Sequence, residues 1–278
     1  MGALDSLVRA NRSQWPQYYD VIEAQFGATA TLLDIGNVNH KPDAATWAGK
    51  KFSASGLSPV WTPNEALSAW DTPFDLTLPS NWQGLAPVLT FNGTDEEADT
   101  PNAAYWQMES NAYSIGIWVK PDQISTNAVI LGRDNRTTGS TEREFLLEMD
   151  GGAPVYQFFS LDDSAGGFIR RLWGTAPVAN QWVLLVVTVD GADVETGIHV
   201  YTNGALDDGA ADEASFTAQE AKTVVTQLGY YIPTGGGVAD LWSGGIAGGP
   251  WSPFFVQAAV TAAQIANYYG DMRLGLGI

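Results

Sequence analysis

The chain has 278 residues, 45% of them hydrophobic and 12% aromatic, with 30 glycines, no cysteine and a formal net charge of −18. That length and composition can bury a substantial core, so bulk disorder is excluded, and without cysteine so are disulfides, thiol nucleophiles and Cys-ligated metals. The 31 acidic against 13 basic side chains repel phosphate backbones and anionic lipid, which excludes nucleic acid and membrane surfaces as expected partners.

Residues 3 to 26 have helical spacing. Leu4, Leu7 and Val8 share a stripe that Tyr18, Val21, Ile22 and Phe26 continue, with Pro16 as a break and Gly27 as a stop. The opening residues lack an apolar h-region and no run of 18 apolar residues follows, so neither a secretory signal nor a membrane span is expected. Residues 28 to 83 begin with ATATLLDIG, readable as one strand. Pro42, Pro59, Pro63, Pro73 and Pro79 then alternate with Trp47, Trp61, Trp70 and Trp82. Flexible linkers lack so many tryptophans. Residues 1–83 are therefore read as a helical and extended arm. It docks on its own domain or on a neighbouring subunit, as a docking or oligomerisation segment.

From Gly84 onward short strands alternate with turn signals. The predicted strands are Pro87–Phe91, Ser114–Lys120, Ala128–Gly132, Phe145–Met149, Val155–Leu161, Phe168–Trp173, Trp182–Val189, Ile198–Thr202, Val224–Tyr231, Leu241–Ile246 and Trp251–Ala258. Arg133 to Thr141 reads as a polar turn, and Asn203-Gly204 as a hairpin turn. The pattern predicts an all-β fold. Trp182–Val189 is apolar on both faces, so its outer face needs a cover, supplied by the arm or by another chain. One helix is specified near the end. Thr261 caps it, Gln264 closes a capping box, Val260 and Ile265 form a staple, and Gly270 is the expected stop.

Four segments in order resemble the concanavalin A-like, laminin-G-like jelly-roll family: Leu89–Asp99, Ser114–Asp122 with its Trp-containing strand closed by Lys-Pro, Asn180–Gly191 followed by Ile198–Leu206, and Gly244–Tyr269. The resemblance covers roughly residues 84–270 and implies two packed antiparallel sheets, a jelly-roll sandwich. It implies no activity, because this fold carries enzymes, lectins, adhesion modules and structural proteins.

Glycoside hydrolysis needs two carboxylates, about 5–5.5 Å apart for retention. Sandwich glucanases set them on one strand face as E-x-D-x-E. Glu148-Met149-Asp150-Gly151-Gly152 supplies two acids and fails at the third, and Leu146 interrupts Glu142, Glu144 and Glu148. Hydrolase and nucleotide motifs are absent, and His40 and His199 have no ligand-spaced partner. The chain is read as not an enzyme. A structural calcium is the cofactor that oxygen-rich rim loops suit. Asp134 with Asn135, and Asp162 with Asp163, are candidate oxygen ligands, and the family resemblance points to the loop of Asp95, Glu97 and Asp99. For a glycan or partner, Tyr230, Tyr231, Trp242 and Trp251 lie near glycine-rich turns and offer aromatic platforms, with buried packing as the alternative.

Taken together, the expected function is that of a non-catalytic structural or interaction protein. It would be displayed on a viral (phage) particle or microbial surface, as a capsid decoration or tail-associated protein assembled in the host cytoplasm. It would contact other virion proteins through residues 1–83 and form a homo-oligomer. The alternative is a carbohydrate-binding module or adhesin with glycan partners.

Overall fold

The computed structural model describes residues 25–26, 30–32, 53–56, 88–94, 96–100, 107–137, 142–248, 251 and 253–278. In chain order its strands are β1 (Ala30–Leu32), β2 (Ser53–Gly56), β3 (Val88–Asn92), β4 (Glu96–Thr100), β5 (Tyr113–Pro121), β6 (Ala128–Asn135), β7 (Glu142–Asp150) and β8 (Val155–Asp162). They continue with β9 (Gly167–Trp173), β10 (Val183–Val189), β11 (Ile198–Thr202), β12 (Ala205–Leu206), β13 (Asp208–Ala214), β14 (Thr226–Leu228), β15 (Ser243–Ala247) and β16 (Phe254–Val256). Among the described residues one long helix, α1 (Ala262–Met272), follows, and then a 3-10 turn over Arg273–Leu276.

The strands form two antiparallel sheets. The first runs β1-β16-β5-β10-β11-β12, with β15 joining β3 to β5; the second runs β13-β9-β8-β7-β6-β14-β4-β2. Alternation along the strands builds the core between them. Ile115, Ile117 and Val119 of β5 and Leu185 and Val187 of β10 meet Phe145, Leu147 and Met149 of β7 and Phe158 of β8, all essentially without solvent exposure. This is the sandwich that the strand pattern and the jelly-roll resemblance predict.

The opposite side chains of the same strands build a second cluster outside the first sheet. Trp118, Leu184, Val186 and Phe254 lie there under Ile265, Tyr268 and Met272 of α1. Among the described residues, the doubly apolar β10 is thus covered by the chain's own C-terminal helix. The arm region contributes Phe26, stacked 4.6 Å from Phe254. Gly116 admits this arrangement: it is paired with Phe254, and a Cβ there would sit 2.1 Å from the Phe254 ring.

Before residue 84, β1 adds to β16 and β2 to β4, so these parts of the arm join the chain's own sheets. The remainder of the helical reading over residues 3 to 26 lies outside the described residues.

Several expectations are corrected. Arg133 is fully buried inside β6 rather than in a polar turn, because a bulge turns it toward Glu144. The capping box of Thr261 and Gln264 is present, but the helix runs through Gly270 to Met272, since Met272 and Leu276 are still buried. Gly277, at φ 75°, makes the stop. The Val224–Tyr231 strand shrinks to Thr226–Leu228, where Gly229 at φ 82° leaves the ladder.

Candidate functional site

The four predicted aromatic residues do not come together. Trp242 has no exposure and belongs to the core between the sheets. Trp251, equally buried, belongs to the cluster on the other face of the first sheet and donates from Nε1 to the Met272 carbonyl at 2.7 Å. Tyr230 is 4% exposed. Tyr231 is half-buried, with the Arg136 guanidinium 4.8 Å over its ring. A stacking platform needs an open ring face. Tyr230, Trp242 and Trp251 are packed in the interior, whereas Tyr231 is half-buried under Arg136.

Among the described residues no group of three or more His, Cys, Asp or Glu could hold a metal ion. Asp134 accepts from Arg136 on both carboxylate oxygens, at 3.0 and 2.9 Å. Asp163 pairs with Lys222 at 2.9 Å. At Asp162 burial is the largest influence and pushes the carboxyl up, but the backbone N–H groups of Ala165, Thr217 and Ala218 hold it below its usual value. Asp95 and the side chains of Glu97 and Asp99 lie outside the described residues. The backbone of Glu97 and Asp99 forms part of β4.

Among the described residues, a strongly perturbed carboxylate is Glu148, on the outer face of the second sheet. Burial raises it to about 7; the Gln157 amide, donating at 2.6 Å, opposes this, and Asp240 adds to it. Asp150, the next acid along β7, accepts from the Gly152 N–H at 2.8 Å and closes the turn. Glu144 is turned inward to Arg133. The sequence of acids therefore gives a lone protonatable side chain beside an amide. A carboxyl held near 7 when folded, against 4.5 as its ordinary value, adds stability that is complete below about pH 4.5 and is lost as pH rises through 7. Glu148→Gln is therefore expected to stabilise the fold at pH 8 by about 2 kcal/mol more than at pH 4.5. Urea titrations at both values check this; the same change at each would overturn it.

An open cavity lies at one end of the sandwich. The connection from β9 to β10 there runs beside the β11–β12 hairpin and leaves a half-enclosed cavity of about 120 Å³. Asn203 shapes one wall. It adopts φ 51°, which the Asn-Gly hairpin requires. Its N–H donates to the Leu184 carbonyl and its Oδ1 accepts from the Leu184 N–H, both at 3.0 Å, which fixes the hairpin to β10. The Thr202 and Thr175 hydroxyls donate to Asp207, at 2.5 and 3.0 Å.

Trp182 forms a second wall, partly exposed, next to Val178, which is 50% exposed. Tyr156, 2% exposed and packed edge-on against Trp173 at 6.3 Å, also lines the cavity; among the described residues its buried hydroxyl has no hydrogen-bond partner. Burial pushes that phenol well up, so it stays a donor. No lining residue is charged.

Sequence reasoning placed Tyr156 and Trp182 only as strand residues. Nothing local marks them, because separate sheets bring them together.

Residues 92–247 match the family model described as the concanavalin A-like lectin/glucanases superfamily, of laminin G type. Among solved structures, one of botulinum neurotoxin type C, whose cell entry is described as dependent upon interaction with two ganglioside molecules, is 10% identical with a TM-score of 0.54, covering 90% of this chain and 52% of that one. The binding domain of botulinum neurotoxin serotype G is 10% identical with a TM-score of 0.53, covering 87% and 50%. A Ruminococcus gnavus IT-sialidase CBM40 bound to alpha2,3 sialyllactose is 17% identical with a TM-score of 0.44, covering 56% and 81%. The chain spans about half the length of the neurotoxin chains, and at these identities the likeness establishes the fold alone. No curated protein matches the sequence.

Proposed function

Because the chain belongs to the concanavalin A-like lectin/glucanases superfamily, we propose that it is a non-catalytic recognition domain whose ligand is carbohydrate. The observation that carries this reading is the end cleft. It sets the partly exposed Trp182 and the exposed Val178 among Thr175, Gln181, Thr202 and Asn203, and no carboxylate lines it. Aromatic surface with a few fixed polar groups is the usual chemistry of a small-ligand site. No acid pair lines the cleft, which favours binding over hydrolysis there. The similar fold in a neurotoxin whose cell entry depends on gangliosides is consistent with it.

A glycan array probed with the full chain tests the reading. A reproducible subset of glycans sharing a terminal sugar is the expected result, and uniformly flat signals would remove it.

Display on a viral or microbial particle, with homo-oligomerisation through residues 1–83, is a second proposal. It is favoured by the net charge of −18 and by the tryptophans and prolines that alternate over residues 42–82. Immunogold labelling of intact particles is its test, with label confined to free protein as the adverse result.

A further inference from the structure

We propose that the outer face of the second sheet docks an arginine side chain of a partner protein, through the Glu148 carboxylate with Gln157 beside it. The surface shares no residue with the end cleft, so it stands whether or not the ligand there is carbohydrate.

Alternation along the strands puts both residues on that face. Leu147 and Met149 of β7 and Tyr156 and Phe158 of β8 point into the core. Glu148 and Gln157, between them, point outward and are paired across the two strands. Leu146, Leu161, Phe159, Phe168 and Tyr231 form an apolar cluster there, separate from the core.

The same face already holds guanidinium groups in a repeated way. Arg136 is bound to Asp134 and lies 4.8 Å over the Tyr231 ring. Arg170 reaches Asp212 with two nitrogens, at 2.7 and 3.0 Å, and lies 6.0 Å over the Phe159 ring. A carboxylate beside a ring face suits arginine, which forks to the one and stacks on the other.

Glu148 has the carboxylate without the arginine. Among the described residues it pairs with no cation. One oxygen accepts from Gln157 Nε2 at 2.6 Å, the other accepts no hydrogen bond, and the side chain is half-buried. Gln157, 5% exposed, has an Oε1 with no partner among the described residues. Two neighbouring acceptors in a partly desolvated place thus lack donors, a cost that an incoming guanidinium relieves. The net charge of −18 draws a basic partner toward the chain as a whole.

The groups facing Glu148 make docking depend on pH. Burial, the largest influence, holds its carboxyl at about 7; Asp240 and Asp134 add to this, and the Gln157 amide and Arg136 oppose it. Tyr231, also close, stays a neutral phenol because burial raises it. Arginine keeps its charge throughout. Docking therefore ionises Glu148 and releases a proton near neutral pH.

The experiment is calorimetric titration of the full chain with a blocked glycine peptide carrying one central arginine, and with the citrulline and lysine versions of it. At pH 8 the arginine peptide is expected to bind with a Kd of about 1 mM. At pH 6 it is expected to bind about tenfold more weakly, with a buffer-dependent heat near pH 7 that reports the proton. The lysine peptide is expected to bind severalfold more weakly at pH 8, and the neutral citrulline peptide not at all. Glu148→Gln is expected to weaken the arginine peptide at least tenfold at pH 8 and to abolish the pH dependence. Glu213→Gln, at an exposed position of β13, is expected to change neither.

Both variants remove one negative charge, so general attraction to an acidic protein would move them alike. Equal losses in the two, an affinity independent of pH, binding of the citrulline peptide, or no binding at pH 8 would each overturn the site. Equal affinity for the lysine peptide would overturn arginine as its occupant.

Discussion

Replacing Glu144 with alanine is expected to cost the fold about 3–5 kcal/mol, because it leaves the Arg133 guanidinium charged, buried and unmatched. Both side chains have no solvent exposure, and Arg133 reaches Glu144 with Nε at 3.0 Å and a second nitrogen at 3.1 Å. Burial is the largest influence on each: it raises the Glu144 carboxyl and lowers the Arg133 guanidinium from their ordinary values. The pair is therefore held against a desolvation cost, and it is the match between the two that matters rather than a net gain from either.

The same two groups tie the segment before β14 to the second sheet. Glu144 accepts from the Lys222 N–H at 2.6 Å, and Arg133 donates to the Lys222 carbonyl and the Thr226 hydroxyl. The double replacement Arg133→Met with Glu144→Leu is expected to cost no more than Glu144→Ala alone, a coupling of about 2 kcal/mol or more between the sites. Urea denaturation of the parent, Arg133→Met, Glu144→Leu, the double variant and Glu144→Ala measures it. Additive losses would show that the residues act separately.

What the sequence revealed of this fold depended on how far each signal is local. The apolar strands β5, β7, β8 and β10 were legible because alternate residues face a core on at least one side. Four strands went unread, β2, β4, β12 and β13. β13 reads DGAADEA and is an edge strand with largely exposed side chains, so it has no apolar period to display. β4 reads EEADT, and its acids pointed instead to a cation loop. The start of α1 was legible because a capping box is written in four consecutive residues. Its end was not, because the stop at Gly277 rather than Gly270 is set by burial of Met272 and Leu276 against a distant sheet.

The candidate site was not legible for the same reason. Tyr230, Trp242 and Trp251 are aromatic residues near glycines, a pattern common to core packing and to sugar platforms. The residues that do line an open cleft become neighbours only when β8, the β9–β10 connection and the β11–β12 hairpin converge.

Tyr268→Ala is expected to be comparably severe, at about 3–5 kcal/mol or a fall in melting temperature of about 10 °C. Tyr268 has no exposure, and its ring lies 5.1 Å from both Phe26 and Phe254, edge-on to the latter. Its hydroxyl accepts the Trp118 Nε1–H at 3.2 Å. Removal opens a cavity among these rings and leaves the indole N–H of a fully buried tryptophan without that acceptor, a further loss of about 1–3 kcal/mol where no water replaces it. Tyr268→Phe isolates the second effect and is expected to cost only about 1–2 kcal/mol.

Ile265, Tyr268 and Met272 are the residues through which α1 seals the apolar outer face of β5 and β10, so their loss should bare Trp118, Leu184 and Val186. The alanine variant is therefore expected to bind a hydrophobic dye below its melting temperature, whereas the phenylalanine variant is not. If the alanine variant stayed within 1 kcal/mol of the parent and bound no dye, the helix would not be what keeps that face dry, and a cover from the arm or from a second chain would have to replace it.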